Sequence, residues 1–534
     1  MFNSTFGAFT TARLGMAVSQ MGLNITGQNV TNIGTFGYTR QRIDQVSLNI
    51  NGLEYTNSIY SVNIGQGALV TGTSQLRDPY LDKRFRTEMG YVGEYDEKVS
   101  GLKELEGILD ETSKVNKDGG INNQLQDFLE KLQQLSGNTQ SEEFDTMAKV
   151  SAEELTRLLN SYSKQINEVK NNIENDFQNV DIPAVNDILK NIRDLNKAIK
   201  VSQMNGDSAL ELKDQRNNLI DELSTYVKID VSYRPVRVTD TTTIEELQIN
   251  FVGSNGEKIP IINDDEMRQF SASKDEETGQ WTIGLGQLLN DKGEVVDGTE
   301  YNAGELLASG SFKSVLGLLN GNGEFDNPPT ERGINFYTKM LDQLANQFAT
   351  QFNEMNKVQR VDEDGNLVFE SDGITPVYDE RPLFASNNDG PITASSIKIA
   401  DGWANNSYGI TTSKNPKEPG QDNVLEMIDL MNKDLVYQTE DGTRLFEGTF
   451  EEFYTNINSI LGLEIKSNTE ILKNHTTLAG NIGNAKSNVS GVSLDEEGMN
   501  MMKYSQAYAA SAKMMTTLDE ALDVLINKTG VVGR

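Results

Sequence analysis

Both ends of the chain carry apolar residues at intervals of seven, and no other feature of the sequence constrains the fold as much. The amino-terminal series is Phe2, Phe9, Met16, Leu23 and Val30. The carboxy-terminal series is Leu494, Met501, Tyr508, Met515 and Leu522, with Tyr504, Ser511, Leu518 and Leu525 three positions further on. Such spacing places the residues on one side of an α-helix and is typical of helices that pair. The sequence therefore predicts a long helix at each end, and the two are expected to pair antiparallel.

The amino-terminal helix is expected to be apolar on a second face as well. That second stripe is Leu14, Val18, Met21 and Ile25. At about 100° per residue it lies roughly 120–180° around the helix from Phe9. Three small residues, Ala12, Ser19 and Thr26, stand three positions after members of the first series. Since one partner cannot cover two faces, we expect one face to take an intramolecular helix and the other a neighbouring subunit. The alternative is a helix buried within its own domain.

Both predicted helices have residues at one end that commonly start or stop a helix. Asn32 and Gly34 tolerate positive φ, so the first helix is expected to end there. Ser493 and Glu496 have the spacing of a capping box, which predicts the start of the last helix. That helix would run for about 33 residues, or roughly 50 Å.

Between the ends, helical periodicity alternates with short β-like segments. Residues 81–225 contain several amphipathic stripes, and Pro183 is expected to end the longest of these helices. Residues 231–300 are β-like, with a hairpin turn at Asn255-Gly256. The expected fold class is α+β multidomain: an elongated helical rod with paired amino- and carboxy-terminal coiled-coil helices and inserted β-rich domains.

The alternation of helix-like and strand-like sequence patterns predicts four regions. Residues 1–45 and 490–534 form an inner core domain of terminal helices; 46–230, 301–360 and 423–489 form a helical rod domain with a short β region at 46–80; 231–300 form an inserted β-rich domain; and 361–422 form a second, outer insertion rich in strands and loops. Helical segments come first and last in this division. The β-rich parts are therefore expected to project from the end of the molecule that lies far from the terminal helices.

Charge and composition narrow the class of protein. Lys and Arg number 47 against 79 Asp and Glu, a net charge of −32, whereas residues 1–50 hold three arginines against Asp44, a net +2. The acidity argues against nucleic acid or an anionic membrane as the main partner. With no cysteine and one histidine, a disulfide framework, a cysteine nucleophile and a multi-histidine metal site are excluded.

Targeting signals are missing from the sequence. The first 30 residues carry one charge, Arg13, and no compact apolar block, so they do not form a secretory signal peptide. No apolar run reaches the length of about 18 residues that a transmembrane helix needs. Export by a specialised apparatus, without cleavage of a signal, remains open.

A search for catalytic motifs gives only weak candidates. His475 lies on an apolar helix face and is interpreted as a packed histidine of a helix seam. Residues 362–366 are interpreted as an Asp-Gly turn, with a weak cation site as the alternative, because the remaining calcium ligands are missing. Residues 480–487 have the composition of a P-loop without its spacing. The methionines at 499–515 favour packing against an adaptable helical partner. We expect no enzyme, no cofactor and no metal.

One motif follows the first helix directly. The segment Asn29-Val-Thr-Asn32-Ile-Gly-Thr35-Phe-Gly37-Tyr38-Thr-Arg40-Gln41 resembles the amino-terminal motif of bacterial flagellar rod, hook and hook-associated proteins. The motif residues are Asn29, Asn32, Gly37, Tyr38 and Arg40. Val30 and Thr31 replace the family's Ile and Ala. The asparagines and the glycine are expected to end the helix and turn the chain, and Tyr38 to anchor the strand that follows.

Other segments resemble the hook-associated branch of this family. Residues 490–497 and 504–513 resemble the carboxy-terminal end of the hook–filament junction proteins. Residues 212–223 resemble their central helix, and residues 448–454 carry a weaker match.

The resemblance implies an extracellular structural protein at the hook–filament junction of the bacterial flagellum. It implies export by the flagellar type III apparatus without a cleaved signal peptide. The implied partners are further copies of the chain in a ring-like homo-oligomer, the flagellar hook protein, a second hook-associated junction protein and a cytoplasmic flagellar export chaperone. Assembly would proceed through the apolar series of the terminal helices.

Two alternatives remain at this point. One is a hook or rod protein, against which the long helices expected at 120–225 and 334–356 count. The other is a flagellar scaffold carrying an outward adhesive domain, for which the loops of 361–422 are the candidate.

Overall fold

A computed structural model describes residues 5–48, 67–109, 120–239 and 243–528, apart from 363, 365, 371, 373, 389 and 419. Twelve α-helices lie in these ranges: α1 (Thr5–Thr31), α2 (Pro79–Leu109), α3 (Ile121–Gly137), α4 (Glu142–Asp176), α5 (Ile182–Met204), α6 (Leu210–Tyr226), α7 (Ser311–Asn320), α8 (Ile334–Met355), α9 (Asp401–Ala404), α10 (Asp422–Met431), α11 (Phe450–Ser490) and α12 (Leu494–Asp523). Single π-helical segments span Phe177–Asp181 and Val524–Lys528.

The strands within the same ranges are short. They are β1 (Gln41–Ser47), β2 (Ala68–Gln75), β3 (Ile229–Arg237), β4 (Thr243–Val252), β5 (Lys258–Asn263), β6 (Glu266–Met267), β7 (Phe270–Lys274), β8 (Trp281–Leu285), β9 (Leu288–Leu289), β10 (Val295–Asp297), β11 (Tyr301–Asn302), β12 (Lys357–Gln359), β13 (Tyr378–Glu380), β14 (Phe384–Ser386), β15 (Ile397–Ile399), β16 (Leu435–Gln438) and β17 (Arg444–Gly448). Together with the long helices at both ends, these elements confirm an α+β multidomain fold.

A large helical core joins α3, α4, α8, α10, α11 and the second half of α2. Helix α3 contributes one apolar face to this core, with residues spaced alternately by four and three positions. All of them are buried: Ile121, Leu125, Phe128, Leu132 and Leu135. Phe128 meets Phe348 and Phe352 edge-on, with ring centroids 5.8 and 5.3 Å apart. Trp403 and Phe384 of the 361–422 segment pack into the same core. The assignment of that segment as an outer insertion stays a prediction.

A second core lies between the β-rich region and helices α5, α6 and α7. Six antiparallel strands form one sheet in the order β10-β9-β6-β5-β4-β3, and three form another in the order β11-β8-β7. Phe312 of α7 contacts Phe177 and Phe270 edge-on, with centroids 5.6 and 5.8 Å apart. The hairpin turn at Asn255-Gly256 is confirmed, since Gly256 has a φ of +81° between β4 and β5.

The prediction that Pro183 ends a helix is wrong. The backbone stays helical from α4 through the π segment at Phe177–Asp181 into α5. Pro183 then stands at the start of α5, directly after the π turn. The wider π turn before it accommodates the change of hydrogen-bonding pattern that a proline imposes.

Candidate functional site at the terminal helix pair

The two terminal helices lie side by side, and their antiparallel pairing is confirmed. Gly15 faces Ser511, and Gly22 faces Tyr504, so positions that rise along α1 meet positions that fall along α12. A Cβ atom at Gly22 would lie 2.6 Å from the Tyr504 ring, and one at Gly15 would lie 2.7 Å from Ser511 Oγ. Glycine is therefore what lets the two backbones approach so closely.

Small residues, rather than the large apolar series, form the contact face of α1. The buried positions there include Ala12, Ser19, Gly22 and Thr26. On a helical wheel these positions lie between the two predicted apolar stripes. The sequence pattern showed the small residues but did not assign them the contact. The physical reason is that close backbone approach favours small side chains, which displaces the bulky ones to the flanks of the seam.

The large apolar residues consequently remain only partly covered. On α1, Val18 is buried, Met21 is exposed, and the half-buried residues are Phe9, Leu14, Met16, Leu23, Ile25 and Val30. On α12, Met515 and Leu522 are half-buried, whereas Leu494, Met501 and Tyr508 are exposed. Phe2 lies outside the described residues. Within the part of α12 that the structure describes, Glu497 is the sole buried residue.

Asn29 fastens the chain where it leaves α1. Its Nδ2 donates to the carbonyl of Gln41 at 2.9 Å, and its Oδ1 accepts from the Gln41 backbone N–H at 3.0 Å. The Tyr38 hydroxyl donates to the same Oδ1 at 2.9 Å. Burial, followed by the nearby charges of Glu211 and Asp214, raises the pKa of Tyr38, so the phenol stays protonated and donates. One asparagine side chain thus holds the start of β1 against α1.

Gly37 and Asn32 shape the turn between α1 and β1. Asn32 Oδ1 accepts from Thr35 Oγ1 at 3.2 Å, and the Thr35 backbone N–H donates to the Asn32 carbonyl at 2.9 Å. Gly37 has a φ of +73°, and a Cβ there would lie 2.1 Å from Asn218 Nδ2 on α6. The glycine is required both by its backbone conformation and by this close approach.

Arg40 joins the motif to the start of α12. Its Nε lies 2.7 Å from Glu497 Oε1, its guanidinium also pairs with Glu496, and its backbone N–H donates to the Ser490 carbonyl at 2.7 Å. Burial alone would lower the pKa of Arg40, but the two carboxylates outweigh it and raise the pKa. The Glu497 carboxylate is buried, so this pair is shielded from screening by salt.

The predicted capping box at the start of α12 is wrong. The Ser493 side chain makes no capping hydrogen bond, and the Glu496 side chain pairs with Arg40 instead of the Ser493 backbone N–H. A capping box does occur at α11, where the Glu452 backbone N–H donates to Thr449 Oγ1 at 3.2 Å and Thr449 N–H donates to Glu452 Oε2 at 3.0 Å.

A polar network of buried and half-buried side chains, which we call the neck, joins α11 to α2 and α6 near the helix pair. Sequence reasoning missed it. Lys486 Nζ of α11 lies 3.0 Å from Asp82 Oδ1 and 2.6 Å from Asp221 Oδ2. Arg77 and Arg86 complete the network by pairing with Asp82 and Asp221 at 3.1 and 2.6 Å. Burial favours a raised pKa at Asp82, but Arg77 and then Lys486 outweigh it and lower the pKa. The Asp82 carboxylate is therefore ionised at neutral pH.

The neck reaches the family motif through α6. Asp214 Oδ2 accepts the Thr39 backbone N–H at 2.9 Å, and Arg77 Nη1 lies 3.7 Å from Asp214 Oδ1. Asp214 and Asp221 are seven residues apart and lie on one face of α6. Charged residues at heptad spacing within the segment 212–223 were the signal that could have found them.

The weaker chemical candidates have ordinary structural surroundings. His475 Nδ1 lies 2.8 Å from Glu88 Oε2, and its ring stacks on Tyr91 with centroids 4.7 Å apart, within the α2–α11 seam. Asp362 Oδ1 accepts the Asn366 backbone N–H at 2.6 Å, as in a turn; part of this loop lies outside the described residues. In the described ranges, no group of three or more acidic or histidine side chains is placed to hold a metal. None of the helices described there is long and apolar enough to cross a membrane.

Comparison with known proteins identifies the family. The model of the flagellar hook-associated protein FlgK helical domain matches residues 102–368, which is half of the chain. The chain belongs to the flagellar hook-associated protein 1 family. A second model, for the carboxy-terminal region of flagellar basal body rod FlgEFG proteins, matches residues 486–528, which include α12.

Relatives of the family extend the match to the whole chain. Flagellar hook-associated protein 1 of Bacillus subtilis is 29% identical over 99% of this chain and 100% of the relative. The protein of the same name from Salmonella typhimurium is 22% identical over 97% of this chain and 98% of the relative.

A solved structure supports the fold. The flagellar hook junction protein FlgK from Burkholderia pseudomallei superposes with a TM-score of 0.53 at 13% sequence identity. The superposition covers 76% of this chain and all of that chain. At this identity the likeness concerns the α+β multidomain architecture.

Proposed function

We propose that this chain is a structural subunit of the bacterial flagellum that joins the hook to the filament. Membership in the hook-associated protein 1 family supports the proposal, as does the name of its structural neighbour, a flagellar hook junction protein. The match of residues 486–528 to rod proteins agrees with a common assembly segment in flagellar axial proteins. The helical-domain match at 102–368 favours a hook-associated protein over a hook or rod protein.

The observation that carries the mechanism is the incomplete packing of the terminal helix pair. Its seam uses glycine and other small residues, while Met21, Leu494 and Met501 remain exposed to solvent. Exposed apolar side chains along a helix gain free energy when another apolar surface covers them, and this gain offsets the entropy lost on association. We propose that copies of the chain cover one another's flanks and so form a ring-like oligomer between hook and filament.

The family motif and the neck give this assembly a fixed geometry. Arg40 holds the start of α12, Asn29 holds β1, and Lys486 ties α11 to α2 and α6. Such a link fixes the assembling end of the subunit relative to its body. The body, with two hydrophobic cores, faces outward in this proposal.

The remaining partners follow from the family and are proposed for this chain on that basis. They are the flagellar hook protein, a second hook-associated junction protein and a cytoplasmic export chaperone. The protein is proposed to act outside the cell, after export without a cleaved signal peptide, and to have no enzymatic activity.

Electron microscopy of a strain that lacks this chain tests the proposal. We expect hooks without filaments and flagellin shed into the medium, both restored by the wild-type chain. Filaments of normal number in the deletion strain would exclude a junction role.

A further inference from the structure

The first turn of α6 holds the amino-terminal region through side chains that lie outside the neck. Glu211 Oε1 accepts from two amide groups, Gln28 Nε2 of α1 and Gln41 Nε2 of β1, each at 2.9 Å. Gln75 Nε2 of β2 donates to the Leu210 carbonyl at 2.8 Å. The start of one helix thus receives donors from α1, β1 and β2.

One face of the β1–β2 ribbon makes these contacts. Gln41 and Gln75 are paired across the two strands, and Thr73, two positions before Gln75, lies on the same face. Thr73 Oγ1 donates to Ser208 Oγ at 3.2 Å, close to the start of α6. Ser74 lies on the other face and hydrogen-bonds within the ribbon. The ribbon therefore docks on the start of α6 with a single face.

The corner between α5 and α6 is held in an unfavourable backbone conformation. Ala209 is buried and has a φ of +53° and a ψ of +40°, a left-handed conformation that alanine rarely adopts. Such a conformation persists where its surroundings over-determine it. The hydrogen bonds from β2 to Ser208 and to the Leu210 carbonyl flank Ala209 and supply that constraint. The shape of the corner and the docking of the ribbon therefore depend on each other.

Glu211 gives α1 a second attachment to the body. The first is at the turn after α1, where Asp214 Oδ2 accepts the Thr39 backbone N–H at 2.9 Å. Gln28 lies on α1 itself, so its hydrogen bond to Glu211 ties the helix to α6 at a separate point. Two separated attachments fix the direction of a helix, whereas a single one would let it swing.

We propose that Glu211 is a positioning residue that sets the direction of the terminal helix pair relative to the body, and that its contacts persist in the assembled junction. The inference rests on the proposed function and adds to it the residue that orients the assembling end. Copies in a closed ring must all hold their assembling helices at one angle, because each contact is repeated around the axis. One oxygen that accepts from both α1 and β1 holds these two elements in a fixed relation.

Spin labels on the purified full chain measure the direction of the pair, since the chain has no cysteine of its own. Asn24→Cys on α1 and Val180→Cys on the body replace exposed residues and carry the labels. We expect one narrow distribution of the distance between the labels. Glu211→Ala should broaden it, and Glu211→Gln should preserve it because an amide oxygen remains as acceptor. Glu222→Ala, at an exposed residue further along α6, is the control.

An introduced disulfide tests whether the docked state persists in the junction. Thr73→Cys and Ser208→Cys put sulfurs in place of hydroxyl oxygens that lie 3.2 Å apart, within reach of a disulfide. In hook–filament complexes from a strain that lacks the wild-type gene, we expect the intrachain disulfide after mild oxidation, with filaments retained. Ser74→Cys combined with Ser208→Cys is the control and should keep both thiols free, because residue 74 lies on the other face of β2.

The number of filaments retained on hooks provides a functional readout. Loss of two hydrogen bonds in Glu211→Ala should reduce that number by about tenfold or more, whereas Glu211→Gln and Glu222→Ala should retain the filaments. The melting temperature of the purified chain should change little in all three variants, since both residues are exposed. A parallel loss of stability and filaments in Glu211→Ala would show a merely structural role.

The outcomes separate the two proposals. A broad distance distribution in the labelled chain without further substitution, or one that Glu211→Ala leaves unchanged, would overturn the positioning role. Free thiols at both introduced cysteines in intact junctions would overturn the persistence of the docked state and leave the junction role in place. Failure of the wild-type chain to enter the junction at all would instead contradict the proposed function, and the distances in the purified chain would still decide the positioning role.

Discussion

The body and the terminal helix pair solve the problem of burial in opposite ways. In the body, Phe348 is surrounded by the rings of Phe352, Phe384 and Phe450, with centroids 4.7, 5.1 and 5.3 Å away. In the pair, the seam is lined by glycine, serine and threonine, and the large apolar side chains stand at its edges. The body buries its large apolar side chains in two cores, whereas the pair leaves most of its large apolar side chains half-buried or exposed.

The body and the terminal segments also differ in net charge. The first 50 residues carry a net +2 and residues 490–534 a net −2, so the two terminal segments cancel and the net charge of −32 lies on residues 51–489. Crowding such acidic bodies around a common axis costs electrostatic energy. Burial of the exposed apolar flanks of the pair is the term that offsets this repulsion in the proposed ring.

The largest effect is expected from removing the second helix of the pair. A chain truncated after Gly491 loses α12 and leaves the small-residue face of α1 without its partner. We expect complete loss of filament attachment in a complementation assay. The purified truncated chain should keep the thermal unfolding transition of the body, measured by circular dichroism. A truncated chain that supports normal filaments would show that α12 is dispensable and would remove the proposed distinction between the two regions.

The reciprocal change is made in the core of the body. Phe348→Ala deletes a buried ring from the aromatic cluster and should lower the free energy of unfolding by about 3–5 kcal/mol. Phe369→Ala is the control, since that ring is 43% exposed and its loss should cost far less. Urea denaturation followed by fluorescence measures both. Equal losses for the two variants would mean that the cluster does not dominate the stability of the body.

The sequence predicted the two regions with different success. Periodicity located α1, α8, α11 and α12 because each stripe repeats over many turns. It assigned the seam to the large heptad residues, because it cannot show that Gly22 and Ser19 let the backbones approach. It also missed the neck, since Lys486 and Asp221 are 265 residues apart and their pairing depends on tertiary structure. The family motif was found by resemblance, while its partner Asn218 on α6 could come only from coordinates.

Two glycines of α1 test the small-residue seam directly. At Gly22, Ala would place its Cβ 2.6 Å from the Tyr504 ring, whereas a Cβ at Gly27 meets no heavy atom within 4 Å. We expect Gly22→Ala to destabilise the helix pair by about 1–3 kcal/mol, as overpacking does. Gly27→Ala should stabilise α1 by about 0.5–1 kcal/mol through helix propensity. Hydrogen exchange of α1 amides measures both. Faster exchange in both variants would contradict the seam.

An effect of similar size is expected at the neck, which links the two regions. The pKa of Asp82 is lowered by Arg77 and Lys486 against the effect of burial, so its ionised form stabilises the fold. That contribution is present above the unfolded value of 3.8 and is lost as the pH falls through the lower folded pKa. We expect Asp82→Asn to lower the free energy of unfolding by about 1.5–3 kcal/mol at pH 7. The variant should also lose less stability than the wild type when the pH is lowered below 3.8.

Asp342 gives the control with the opposite sign. Burial raises its pKa, although the Ala394 backbone N–H donates to it at 2.8 Å. Its contribution is therefore present below the unfolded value of 3.8 and is lost as the pH rises through the folded pKa. Asp342→Asn should remove the loss of stability that accompanies ionisation of Asp342 as the pH rises. It should leave the free energy of unfolding near pH 3 unchanged. Urea unfolding between pH 2.5 and pH 7 separates the two carboxylates, and parallel profiles for both variants would mean that the neck does not hold Asp82 in its ionised form.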